Sequence, residues 1–155
     1  MMIIRKAAEE DIGAIYEIEA SCSSSPWSRG QFAEELYEDF AHLLVAEEDG
    51  EITGFADLHI VSDDAHINEI GVREDRRRRG TASLLMEEML RLCAEKGCAQ
   101  VSLEVRMSNV PAISLNGRYG FTAAGVRKRF YTRPEEDGIT MTRTMAETET
   151  CLYWG

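Results

Sequence analysis

The sequence predicts a single α/β domain built on one mixed sheet, and three features carry that expectation. Two β-rich segments, residues 66–72 and 99–105, flank an amphipathic helix, an order that favours a parallel strand pair joined by a right-handed crossover. Hairpin signals at Glu48-Asp49-Gly50 and around residues 134–138 call for antiparallel strands in the same sheet. Finally, 155 residues with 44% hydrophobic content can bury one core, and no repeat or low-complexity linker divides them.

The elements follow in order. Residues 2–5 read as a strand, after which Asp11 leads Ile12, Ile15, Ile18 and Cys22 along one helical face, with Pro26 as the break. Ser28 and Gln31 have capping-box spacing ahead of Phe32, Leu36 and Tyr37, so a second helix starts at Ser28. Residues 42–47 and 51–61 form the hairpin across Glu48-Asp49-Gly50. Ala82, Leu85, Met86, Met89, Leu92 and Cys93 recur at helical spacing, and Lys96-Gly97 supplies a cation and a stop, predicting a helix over 81–96. Pro111 suits the first turn of a short helix that reaches about residue 118, with Gly120 ending it. Segments 122–131 and 139–144 close the sheet as an antiparallel pair. The domain spans 1–146, followed by a tail, 147–155, in which Tyr153 and Trp154 have no assigned role.

Composition narrows the function classes. No stretch approaches the roughly 20 apolar residues of a membrane span, and residues 1–7 are too short for a secretory signal. A net charge of −11 argues against nonspecific nucleic-acid binding. Cys22, Cys93, Cys98 and Cys151 lack metal-ligand spacing, so reduced thiols, a cytoplasmic location and no metal are expected. Oligomeric state is not legible.

The basic run Arg76-Arg77-Arg78-Arg79-Gly80-Thr81-Ala82 joins the strand ending at Val72 to the long helix. Around a glycine that leaves the backbone open, successive N–H groups converge on phosphate oxygens, and the helix N-terminus adds unpaired donors and partial positive charge. The pattern Arg77-x-x-Gly80-x-Ala82 resembles the (Gln/Arg)-x-x-Gly-x-(Gly/Ala) signature of the GCN5-related N-acetyltransferases (GNAT), which bind acetyl-CoA with this loop. The element order resembles that fold from Ile3 to about Met145. The resemblance implies a mostly antiparallel sheet with one splayed parallel pair, flanked by helices. It places the pantetheine along Ile70, Gly71 and Val72 and the pyrophosphate against Arg77, Arg78, Arg79, Gly80, Thr81, Ala82 and Ser83. Acetyl-CoA is then a co-substrate.

Three further segments, Ser25-Pro26-Trp27-Ser28, Leu103-Glu104-Val105-Arg106-Met107-Ser108-Asn109 and Tyr131-Thr132-Arg133-Pro134-Glu135-Glu136-Asp137-Gly138, resemble the Pro-Trp-Ser, Leu-Glu-Val-Arg-x-Ser-Asn and Tyr-x-x-Pro-x-x-Asp segments of bacterial ribosomal-protein-alanine N-acetyltransferases of the RimI type. That resemblance implies Glu104 as general base, Asn109 as a pantetheine contact, and Trp27 and Tyr131 as walls of the acceptor groove. Strand alternation independently puts Ser102, Glu104 and Arg106 on one face and Val101, Leu103 and Val105 on the other. A Glu104–Arg106 pair is the structural alternative, and His66 and Glu69 are the competing bases. One position departs from the pattern. Asn116 stands where the family has a tyrosine that protonates the leaving thiolate, and an amide offers no comparable acidity. Tyr119 and Tyr131 are the candidate substitutes, although Tyr119 before Gly120-Phe121 also suits a core position.

Amine choice follows from pKa. Presenting a neutral α-amine at pH 7 costs about 1 kcal/mol, against roughly 4–5 kcal/mol for a lysine, so one carboxylate base suits a protein N-terminus better. A small-molecule amine acetyltransferase and a CoA-binding module without catalysis are the rival functions.

Overall fold

The computed structural model describes residues 1–145. The proposed tail, and residue 146 at the end of the proposed domain, lie outside the described residues. Seven strands form one sheet in the order β1-β2-β3-β4-β5-β7-β6. In chain order these are β1 (Met2–Lys6), α1 (Ile12–Cys22), α2 (Arg29–Glu35), β2 (Ala41–Glu48), β3 (Glu51–Val61), β4 (Asp64–Val72), α3 (Thr81–Glu95), β5 (Gln100–Arg106), α4 (Val110–Arg118), β6 (Thr122–Tyr131) and β7 (Glu136–Thr144). Among the described residues only β4 and β5 run parallel, and α3 is their crossover.

Local chemistry accounts for the element ends. Ser28 accepts from the Gln31 N–H at 3.1 Å while the Gln31 side chain accepts from the Ser28 N–H at 2.8 Å, the reciprocal cap that starts α2. Asp49 and Gly50 adopt φ of 52° and 83° between Glu48 and Glu51, the left-handed pair that a two-residue hairpin needs. The first helix ends at Cys22, four residues before Pro26, and Cys22 is exposed rather than part of the helix's apolar face.

Each side of the sheet carries its own core. On one, Leu85, Met86, Met89 and Cys93 of α3 pack with Leu103, Val105, Phe121 and Met141. On the other, Ile15 and Ile18 of α1 and Phe32 of α2 pack with Leu43, Val45 and Phe55. The strand alternation of β5 decides the site. Leu103 enters the first core, and Glu104 faces the α1–α2 side.

Candidate active site

The parallel pairing of β4 and β5 is short. It runs from Asp64 opposite Gln100 to Ile67 opposite Leu103 and stops. Beyond it, β4 continues to Val72 along β3, and β5 continues to Arg106 along β7. The facing edges, from Asn68 on one strand and Glu104 on the other, therefore carry no ladder between them, and their backbone groups are available to a guest. Ile70, Gly71 and Val72 lie on this edge. Gly71 permits the close packing there, because a Cβ would come within 2.8 Å of Phe55 Cε1 and 3.2 Å of Ile18 Cγ2.

At the end of β4 a single 3₁₀ turn, Glu74–Arg76, leads into the basic loop. Arg78 and Gly80 take φ of 66° and 82°, and nothing lies within 4 Å of a Cβ built on Gly80. Gly80 caps α3 without a side-chain acceptor, so the N–H groups of the first turn stay free of a capping oxygen. The arginines are not equivalent. Arg76 and Arg79 pair with Glu48 at 3.0 and 3.1 Å, and Arg73 pairs with Asp75 at 2.8 Å. Arg77 donates to the Val72 carbonyl and to Cys22 Sγ, and neither it nor Arg78 has an acidic partner among the described residues. Thr81 is buried, with Ala82 and Ser83 half-buried beside it.

Glu104 sits at the mouth of the splay. His66 Nε2 lies 2.8 Å from its Oε1, Thr140 Oγ1 donates to its Oε2 at 3.3 Å, and Arg127 approaches that oxygen to 4.0 Å. The alternative pair with Arg106 does not form. Arg106 instead bonds Glu136, Ser24 and the Thr132 and Pro134 carbonyls, and its guanidinium stacks on the Tyr131 ring at 4.6 Å. Behind His66, Asn68 Nδ2 donates to Asp57 Oδ1 at 2.9 Å, which leaves Asn68 Oδ1 to accept from His66 Nδ1 at 2.8 Å. The network thereby assigns the Nδ1–H tautomer and turns Nε2 toward Glu104.

Burial shapes the titration of this side of the sheet. It pushes Glu69 up to about 8, reinforced by the Glu19 carboxylate, and raises Glu19 itself, whose Oε2 also accepts the Trp27 N–H at 3.1 Å. Asp57, fully buried, is likewise pushed up to about 8 by burial and by Glu35. The Tyr131 phenol rises to about 12 through burial and the Glu104 charge.

Other expected site residues take different positions. Asn116 is 5% exposed and its amide donates to Met141 Sδ at 3.7 Å. Asn109 caps α4, its Oδ1 accepting the Ala112 N–H at 3.2 Å. Trp27 is half-buried against Phe32, ring centroids 5.3 Å apart. Tyr119 commits its hydroxyl to Glu87 at 2.6 Å while its ring packs against the core. Sequence reasoning missed Asp57, Asn68 and Thr140. All three reach the site through cross-strand register, and a bulge between Asp57 and Leu58 resets that register at the point that matters.

The family model described as Acetyltransferase (GNAT) family matches residues 12–121. The chain belongs to this family. A Bacillus subtilis protein provisionally named as a [ribosomal protein bS18]-alanine N-acetyltransferase is 41% identical over 93% of this GNAT chain and 96% of its own. The Escherichia coli (strain K12) protein named for the same activity is 33% identical over 91% and 96%. The crystal structure of the ribosomal-protein-S18-alanine N-acetyltransferase from Escherichia coli superposes with a TM-score of 0.86 at 32% identity, covering 94% of this chain and 96% of that one. The splayed strands and basic turn are therefore those of a GNAT N-acetyltransferase, with the RimI-type segments found together in one chain. No helix among the described residues is long and apolar enough to cross a membrane.

Proposed function

We propose that this acetyltransferase modifies the N-terminal α-amine of a ribosomal protein, with acetyl-CoA as donor and Glu104 as base. The observation that carries the reading is Glu104 at the open end of the β4–β5 splay, with His66 Nε2 against one oxygen and the Thr140 hydroxyl on the other, facing the α1–α2 side. The names of the 41% and 33% identical relatives support the acceptor class. A ribosomal acceptor places the enzyme in the cytoplasm.

The residues fit the donor. The unladdered edge at Ile70–Gly71–Val72 offers backbone groups to the pantetheine amides, and the resemblance adds Asn109, the cap of α4, as a further contact. The open loop around Gly80, the uncapped first turn Thr81-Ala82-Ser83, and the two arginines without acidic partners, Arg77 and Arg78, hold the pyrophosphate. Arg79 contributes long-range field more than contact, being tied to Glu48. Acetyl-CoA supplies the thioester whose acetyl group moves.

Glu104 removes a proton from the incoming amine. His66 Nε2, turned toward it by the Asn68–Asp57 chain, is the second seat for that proton. Backbone N–H groups near Ile70 to Val72 polarise the carbonyl, and positioning by the loop supplies much of the rate. Asn116 is no acid, Tyr119 is committed elsewhere, and Tyr131 holds its proton too tightly. The thiolate, with a conjugate acid of pKa about 8.5, leaves without protonation from these positions. Trp27 and Tyr131 flank the acceptor.

The test is a panel of Ala- and Ser-initiated ribosomal-protein peptides against small amines such as polyamines. Peptides are expected to turn over, and Glu104→Gln to lower kcat by about 10²–10⁴-fold with CoA affinity unchanged. Turnover confined to small amines overturns the acceptor assignment, and full activity in Glu104→Gln overturns the base.

A further inference from the structure

Away from Glu104, the α1–α2 side of the sheet holds a second cluster, joined to the transfer site through the Asp57–Asn68 bond. Glu35 ends α2, and Asp57 and His59 stand two residues apart on β3, so alternation turns both toward α2. One potential ligand atom from each lies within 4.8 Å of the others. His59 Nε2 contacts Glu35 Oε1 and sits 3.3 Å from Asp57 Oδ1.

Two further facts turn this cluster from a packed polar contact into a site. The fully buried Asp57 carboxylate spends Oδ1 on Asn68, while Oδ2 has no partner among the described residues. Glu35 is only 8% exposed, and among the described residues neither carboxylate pairs with a lysine or arginine. Two buried acids share one imidazole. A buried oxygen left without a partner is costly, and a cation seated in the cluster would supply one.

We propose that Glu35, Asp57 and His59 bind one divalent transition-metal ion of the zinc type. One imidazole nitrogen with carboxylate oxygens is a donor set that suits zinc, and a site with three protein ligands leaves a fourth position for water. At metal–ligand bonds of about 2.0–2.2 Å, tetrahedral ligand atoms lie roughly 3.3–3.6 Å apart, so the His59–Asp57 separation matches while the direct His59–Glu35 contact must open to admit the ion. The His59 side chain is 27% exposed, which gives the ion a route in. Calcium and magnesium, which prefer all-oxygen shells of six or more, fit poorly.

The ion ties the C-terminus of α2 to β3. Through Asp57 and Asn68 it also fixes His66 behind Glu104. It takes no part in the chemistry of the thioester.

The experiment uses the full chain stripped with a chelator. Zn²⁺ alone is titrated in by calorimetry, and Tm is followed with and without the ion. One-to-one binding and a raised Tm are expected, both lost in His59→Gln and in Asp57→Asn. Because Cys22 is an exposed thiol, Cys22→Ser is expected to keep both. His59 is partly exposed, so its variant tests the site even if Asp57→Asn fails to fold. Three results would each overturn the proposal. These are no heat and no Tm change with Zn²⁺, binding that survives His59→Gln, and binding lost in Cys22→Ser. An Asp57→Asn chain more stable than a wild type that ignores Zn²⁺ would identify the compensating cation as a proton.

Discussion

Thr81 opens α3 with its side chain 2% exposed, its methyl 2.9 Å from where a Cβ on Gly54 would sit, and its Oγ1 without a partner among the described residues. A buried hydroxyl that bonds nothing costs stability, whereas a methyl of the same shape does not. Thr81→Val is therefore expected to stabilise the chain by about 1 kcal/mol, read as a higher urea midpoint with unchanged m-value. CoA affinity is expected to stay the same, because the Thr81 contribution to the loop is its backbone N–H. A lower midpoint would show that the hydroxyl has work to do. At this scale the family resemblance marked Glu104 and alternation gave its face, since β5 is unbroken. Asp57 and Asn68 were not, because their meeting depends on a bulge in another strand pair and leaves no mark in either local pattern. Glu35, Asp57 and His59 are hidden for a related reason: ligand spacing along the chain marks local metal sites, and these three converge only across α2 and β3.

Elements were more legible than contacts. The capping box at Ser28 and Gln31 and the left-handed turn at Asp49-Gly50 are local chemistry, and both appear where the residues required them. The short range of the β4–β5 ladder is different, for nothing in residues 64–72 says where pairing stops. What holds β4 in place there is packing. Gly71 lets Phe55 and Ile18 approach so closely that any Cβ collides with both. Gly71→Ala is expected to cost about 1–3 kcal/mol in denaturant unfolding, the usual range for overpacking. It is also expected to weaken CoA binding, since relieving the clash moves the edge that receives the pantetheine. Ser28→Ala serves as the contrast, losing about 1 kcal/mol through the cap with CoA affinity intact. Equal CoA affinities in both variants would separate the β4 edge from cofactor binding.

The whole molecule is acidic, with a net charge of −11, and it buries several of its acids on the side of the sheet that receives the amine. The count was legible, but which acids the fold would desolvate was not, because Glu19 and Glu69 meet only when α1 packs on β4. Their pairing sets a pH dependence. Burial and the Glu19 charge lift Glu69 to about 8 in the folded chain, while the unfolded value stays near 4.3 or so. Between those limits the native state binds more protons than the unfolded state, so stability is greatest at the acid end of that window. It falls as pH rises toward 8, by at most about 1.4 kcal/mol per pH unit for each such proton. In chelator-treated protein the urea midpoint is expected to decline steadily from about pH 5.5 to pH 8. Glu69→Gln, which keeps the shape and cannot ionise, is expected to lessen that decline, with Asp57, also lifted to about 8, carrying the rest. A midpoint independent of pH in the wild type, or an equal slope in the variant, would mean that the Glu19–Glu69 pair does not hold its proton in the folded chain. The same outcome would place a full negative charge beside the amine site at neutral pH.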